Sequence, residues 1–121
     1  MATYWSDNAY NIPNFHCESK ACKTNKPTCT SMRAPGVVHS VMAIETAMDH
    51  VASTLNMDPN DVRALNFVQV GDVTPYLQTL KYVSLNKCWT KVMEQYKTLK
   101  TECDTFNIGN RWVKRAVAMN P

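Results

Sequence analysis

The chain has 121 residues, 45% of them hydrophobic and 19% charged, with a formal net charge of +3. This is the composition of one globular domain with a modest core, not of a disordered segment. The small charge and the lack of any long basic run exclude nucleic acid as the expected partner. No apolar stretch reaches the ~18 residues of a membrane span, and the first residues have neither the basic region nor the apolar core of a signal peptide.

In chain order, Tyr10 to Cys22 reads as two short strands around a polar turn at Glu18-Ser19-Lys20, with Pro13 confined to a strand start or an edge. Residues 23–36 form a turn-rich loop punctuated by Pro27, Pro35 and Gly36, with Thr24, Asn25, Thr28, Thr30 and Ser31 available to bond nearby backbone. A first helix is predicted over Val37–Leu55. Val37, Val41, Ile44, Met48, Val51 and Leu55 make one apolar stripe at helical period, while Ser40, Glu45, Asp49, His50 and Ser53 lie opposite, and Asn56 is its stop.

Asp58 as cap and Pro59 at the first helical position start a shorter second helix, with Val62, Leu65 and Val68 facing inward and Gly71-Asp72 as its break. Thr74-Pro75 opens a brief turn to Leu80. The last helix is predicted over Leu85–Phe106, with Leu85, Cys88, Trp89, Val92, Tyr96, Leu99, Cys103 and Phe106 inward and Gly109 as its cap. Arg111 to Met119 reads as a strand at an edge that stops abruptly, as in a truncated sheet. The expected fold class is α+β: three helices with a few short edge strands.

The loop ending in Arg33-Ala34-Pro35-Gly36 carries the clearest chemistry. A helix starting behind a glycine offers unpaired backbone N–H groups and a partial positive charge, and Arg33 adds a planar cationic fork; together they suit an anion or an oxo group. Other groups read as structural. The odd set Cys17, Cys22, Cys29, Cys88 and Cys103 suits reduced thiols, and the intervals from His16 through Cys17, Cys22 and Cys29 match neither zinc nor ferredoxin spacings. His39 and His50 are too far apart on a helix to share an ion, and Glu45 with Asp49 reads as a solvated helix face. No catalytic or metal-ligating residue is assigned.

The order Cys22, Thr24, Asn25, Pro27, Thr30, Arg33, Ala34, Pro35, Gly36 resembles the loop of the molybdenum hydroxylases, the aldehyde oxidase and xanthine dehydrogenase family. The likeness continues on both sides. Tyr10-Asn11-Ile12-Pro13-Asn14 precedes the loop. Glu45 with Met48-Asp49-His50-Val51-Ala52 follows it, then Asp61-Val62-Arg63-Ala64-Leu65-Asn66, Gly71-Asp72-Val73-Thr74, Cys88-Trp89, and Phe106-Asn107 with Asn110 to Arg115.

The resemblance implies that residues 1–121 are part of a molybdopterin-binding domain from a much longer oxidoreductase. Such a protein would be cytoplasmic and homodimeric, oxidising aldehydes or N-heterocycles with oxygen from water, with FAD and 2Fe-2S clusters elsewhere. It implies that Arg33, Ala34 and Gly36 bind the molybdenum–molybdopterin cofactor and that Pro35 lines the substrate pocket.

Where xanthine dehydrogenases carry a phenylalanine, Pro35 has no aromatic face for a planar heterocycle, which tilts the reading toward aldehyde oxidase. Cys29 stands where the family has asparagine. The family's Gly-Glu-Pro-Pro base motif, its second glycine-rich cofactor loop, an iron–sulfur cysteine set and a dinucleotide fingerprint are all missing from this stretch, so the isolated piece is expected to be inactive. The rival reading is a stand-alone helical binding or scaffold domain derived from that family.

Overall fold

The computed structural model describes residues 2–27 and 32–121. The chain divides into two compact units, Met1–Lys81 and Tyr82–Pro121. The first holds an N-terminal 3₁₀ turn over Ala2–Trp5, helix α1 (Val37–Leu55) and helix α2 (Pro59–Leu65); the second holds helix α3 (Leu85–Gly109).

The helix boundaries follow from local chemistry. Asn56 takes a left-handed conformation, and its N–H closes onto the Ala52 and Ser53 carbonyls, ending α1. The Asp58 carboxylate accepts from the Asn60 N–H at 2.8 Å, and Pro59 fills the first position of α2, where no amide is needed.

The core of the first unit is small: Tyr10, Met48, Ala52, Val62 and Phe67. Tyr10 is the largest fully buried side chain, and its ring stacks on Phe67 with centroids 6.1 Å apart and planes 14° from parallel.

The packed face of α1 is not the one the apolar stripe predicts. Met48 is buried, but so are Ser40, Glu45 and Ala52, whereas Val51 and Leu55 are exposed. The helix buries its Glu45–Ala52 edge instead, and Glu45 on that edge meets Arg63 of α2 at 2.7 Å. Leu65, predicted inward, is exposed, and Arg63 takes the buried place beside Val62.

No strand forms among the described residues; two isolated antiparallel bridges stand in for the expected edge strands. Tyr10 pairs with Phe67 through Asn11 N–H to Asn66 O at 2.8 Å and Val68 N–H to Ala9 O at 3.0 Å, and the ladder goes no further. Pro13 has no amide to extend it. The Thr74-Pro75 segment is a tight reversal bridged between Val73 and Thr79, with Gly71 at φ 97°.

In the second unit, Asn107 occupies the place of a strand partner for Arg115. Its side-chain amide donates to the Arg115 carbonyl and accepts from the Arg115 N–H, both at 2.8 Å, while the Arg115 guanidinium lies 3.9 Å over the Phe106 ring. One amide side chain thus satisfies both backbone groups of Arg115, as a residue of a neighbouring strand would. Trp89 is the only buried residue of α3; Val92 and Leu99 of the predicted stripe are exposed.

Candidate cofactor-loop site

The sequence places the candidate site at the start of α1. There Ala34 adopts φ 55° and Gly36 φ 79°, both left-handed. For alanine this is strained, and for glycine it is free. The two reversals turn the chain directly into the helix, with Val37 N–H donating to Ala34 O at 3.1 Å. Arg33, Ala34 and Pro35 are exposed and Gly36 is half-buried. The loop residues Thr28, Cys29, Thr30 and Ser31, given roles in loop shape and family likeness above, lie outside the described residues.

Gly36 has no side chain to cap α1, and the first turn contains no acidic residue. The positive end of a 19-residue helix is therefore neither capped by its own cap residue nor faced by a carboxylate from its own first turn. An exposed guanidinium, two left-handed residues and a helix start that its own cap residue does not cap fit the oxygen-rich, anionic periphery of a metal–pterin group.

The first turn is tied to the rest of the unit through Ser40. Its buried hydroxyl lies 2.8 Å from the Gly36 carbonyl and 2.6 Å from the Ala2 carbonyl, sharing its hydrogen between them.

Further along α1, Glu45 corrects the solvated-face reading. Its side chain is 7% exposed and receives three donors: Asn8 Nδ2 at 3.0 Å and Tyr10 Oη at 2.7 Å on one oxygen, Arg63 Nε at 2.7 Å on the other. Arg63, 5% exposed, also reaches the Asp49 carboxylate at 2.7 Å. Burial opposes the Arg63 charge, but its bonds to Glu45 and Asp49 outweigh that and raise its pKa. Burial, then the bond to Glu45, push the Tyr10 phenol far above its ordinary range, so it remains a donor. Burial also pushes the Asp7 carboxyl up. The signal for this network in the sequence was an i, i+4 pair of carboxylates on α1 and one arginine inside a short helix, 18 residues beyond Glu45.

Among the described residues, no group of three or more His, Cys, Asp or Glu side chains gathers to hold a metal, and Cys17 and Cys22 are free and exposed. Cys29 lies outside them. No helix among the described residues is long and apolar enough to cross a membrane.

The family model for the molybdopterin cofactor-binding domain matches residues 1–67, which include the loop, α1 and α2. Aldehyde oxidase 4 of Mus musculus is 36% identical over 118 residues, covering 96% of this chain and 9% of that protein. Xanthine dehydrogenase 1 of Arabidopsis thaliana is 37% identical over 122 residues, covering 99% and 9%. The aldehyde oxidase of Homo sapiens is 35% identical over 117 residues, covering 95% and 9%. The chain belongs to the aldehyde oxidase and xanthine dehydrogenase family of molybdenum hydroxylases. It spans about a tenth of the length of these relatives.

Proposed function

We propose that this chain is the cofactor-loop segment of an aldehyde oxidase-like oxidoreductase, with Arg33, Ala34 and Gly36 against the molybdenum–molybdopterin group and Pro35 on the substrate side. The observation that carries the reading is the start of α1 behind Arg33, with no side-chain cap from Gly36 and no acidic residue in its first turn, set in a region matched by a molybdopterin cofactor-binding domain. When bound, the group supplies the two-electron oxidation of an aldehyde or N-heterocycle, with water as the oxygen source. The chain's own part is to hold and orient the group, electrostatically through Arg33 and through backbone amides after Gly36. FAD and 2Fe-2S clusters, a cytoplasmic setting and a homodimer go with this reading, as does the view of residues 1–121 as part of one larger domain in which segments 10–22 and 111–119 find further sheet partners.

The test is direct. The purified 121-residue chain, supplied with the cofactor, is expected to show no aldehyde turnover, because no base motif lies within it. The intact protein carrying this segment is expected to turn aldehydes over and to lose bound molybdenum when Arg33 is replaced. Aldehyde oxidation by the isolated chain would contradict the first, and an Arg33→Ala protein with full molybdenum content the second.

The identities to aldehyde oxidase 4 and xanthine dehydrogenase 1 are nearly equal, so the choice between them rests on Pro35. Pro35→Phe in the intact protein is expected to lower KM for planar N-heterocycles about 3- to 10-fold relative to aliphatic aldehydes, the worth of one aromatic stacking contact. Unchanged relative KM values would remove Pro35 from the substrate side.

A further inference from the structure

Ser40 stands one helical turn below Gly36 and is 5% exposed, the most buried residue of the first half of α1 apart from Glu45. Its hydroxyl does more than bond back to its own helix. The Gly36 carbonyl already accepts the Ser40 N–H at 3.2 Å, and the Ala2 carbonyl already accepts the Ser6 hydroxyl at 3.0 Å. Neither carbonyl depends on the Ser40 hydroxyl for a partner. What the hydroxyl adds is a link, joining the peptide that closes the Arg33–Gly36 loop to the 3₁₀ turn over Ala2–Trp5.

That turn is itself held along α1. Eight residues on from Ala2, the Tyr10 hydroxyl bonds the Glu45 carboxylate, and Asn8 bonds the same oxygen. Segment 2–10 is therefore fixed to α1 at two points, and the Ser40 tie is the one next to the loop. A serine hydroxyl is short and has few rotamers, so such a tie sets position closely.

We propose that Ser40 is a positioning residue for the cofactor loop: through the Gly36 carbonyl it braces the Arg33–Gly36 turn against the N-terminal 3₁₀ segment. This rests on the cofactor-site reading. Removing the hydroxyl leaves both carbonyls bonded, so folding is nearly untouched while the loop loses its brace.

The experiment compares Ser40→Ala, Arg33→Ala and the unsubstituted molybdenum-loaded protein. Three quantities are read: melting temperature, amide hydrogen exchange over residues 34–39, and molybdenum retained after dialysis. For Ser40→Ala we expect a melting shift of no more than a few degrees, exchange faster by about tenfold in that stretch, and a loss of retained molybdenum to less than half. For Arg33→Ala we expect molybdenum loss with unchanged exchange.

If Ser40→Ala retains full molybdenum while Arg33→Ala does not, the Ser40 proposal is overturned and the cofactor-site reading stands. If Ser40→Ala speeds exchange but keeps its molybdenum, the brace is structural only and the proposal is likewise overturned. If both variants retain full molybdenum, the cofactor-site reading itself is lost.

Discussion

Replacing Glu45 by alanine is expected to destabilise the first unit by about 3–5 kcal/mol, the cost of leaving a buried charge without its partner. Arg63 is almost fully enclosed, and its second partner, Asp49, has a side chain that is 56% exposed. With Glu45 gone, Arg63 keeps only a solvent-screened contact, and the Tyr10 hydroxyl and the Asn8 amide lose the acceptor they share. Each buried donor left alone costs a further desolvation penalty. Asp49→Ala removes the screened half of the same network and is expected to cost no more than about 1 kcal/mol.

The contrast between the two carboxylates, four residues apart on one helix, is the measurement. It is read as the shift in denaturant midpoint at constant slope, and equal losses for the two variants would refute the assignment of Glu45 as the buried partner. A third variant separates charge from space. Tyr10→Phe, Glu45→Met and Arg63→Met together replace the network by apolar groups and are expected to recover most of the lost stability, since a paired buried charge gains little over good packing.

This network also marks where the sequence ceased to be readable. Helix α1 was legible to the residue because a 19-residue apolar period and a left-handed Asn56 are local facts. The start of α2 was legible for the same reason, through Asp58 and Pro59. The rotation of α1 was not, because an apolar stripe reports only that a face is hydrophobic, and here the buried face is chosen by an ion pair.

Glu45 and Arg63 are 18 residues apart, and nothing local in either says that they meet. The strand readings failed on the same distinction. Trp112, Val113, Val117 and Met119 suggested a strand without a clean alternation; no strand forms there, and the structure gives the Arg115 backbone a side-chain partner, the Asn107 amide. The glycine before the first helix was legible as a turn, and the structure gives Ala34 and Gly36 left-handed conformations there; the chemistry proposed for the loop rests on the experiments on Arg33.

Arg33→Ala, unlike any change at Glu45, is expected to act on chemistry and not on folding. Arg33 is exposed, so its truncation should alter unfolding by no more than about 0.5 kcal/mol. In the intact oxidoreductase the same truncation removes one preorganised cationic donor from the start of α1. The loss of a single such donor typically lowers turnover by about 10²–10³-fold.

Arg33→Lys should fall between the two, because an ammonium keeps the charge but not the planar two-pronged geometry. The helix end and the reversed peptides at Ala34 and Gly36 survive both substitutions, so binding should weaken without vanishing. Steady-state kinetics on an aldehyde, normalised to molybdenum content by elemental analysis, distinguishes a slower site from an emptier one. An Arg33→Ala enzyme with unchanged molybdenum content would show that this helix end faces something other than the cofactor, whatever its turnover per molybdenum, and with it the functional assignment of the loop would fail.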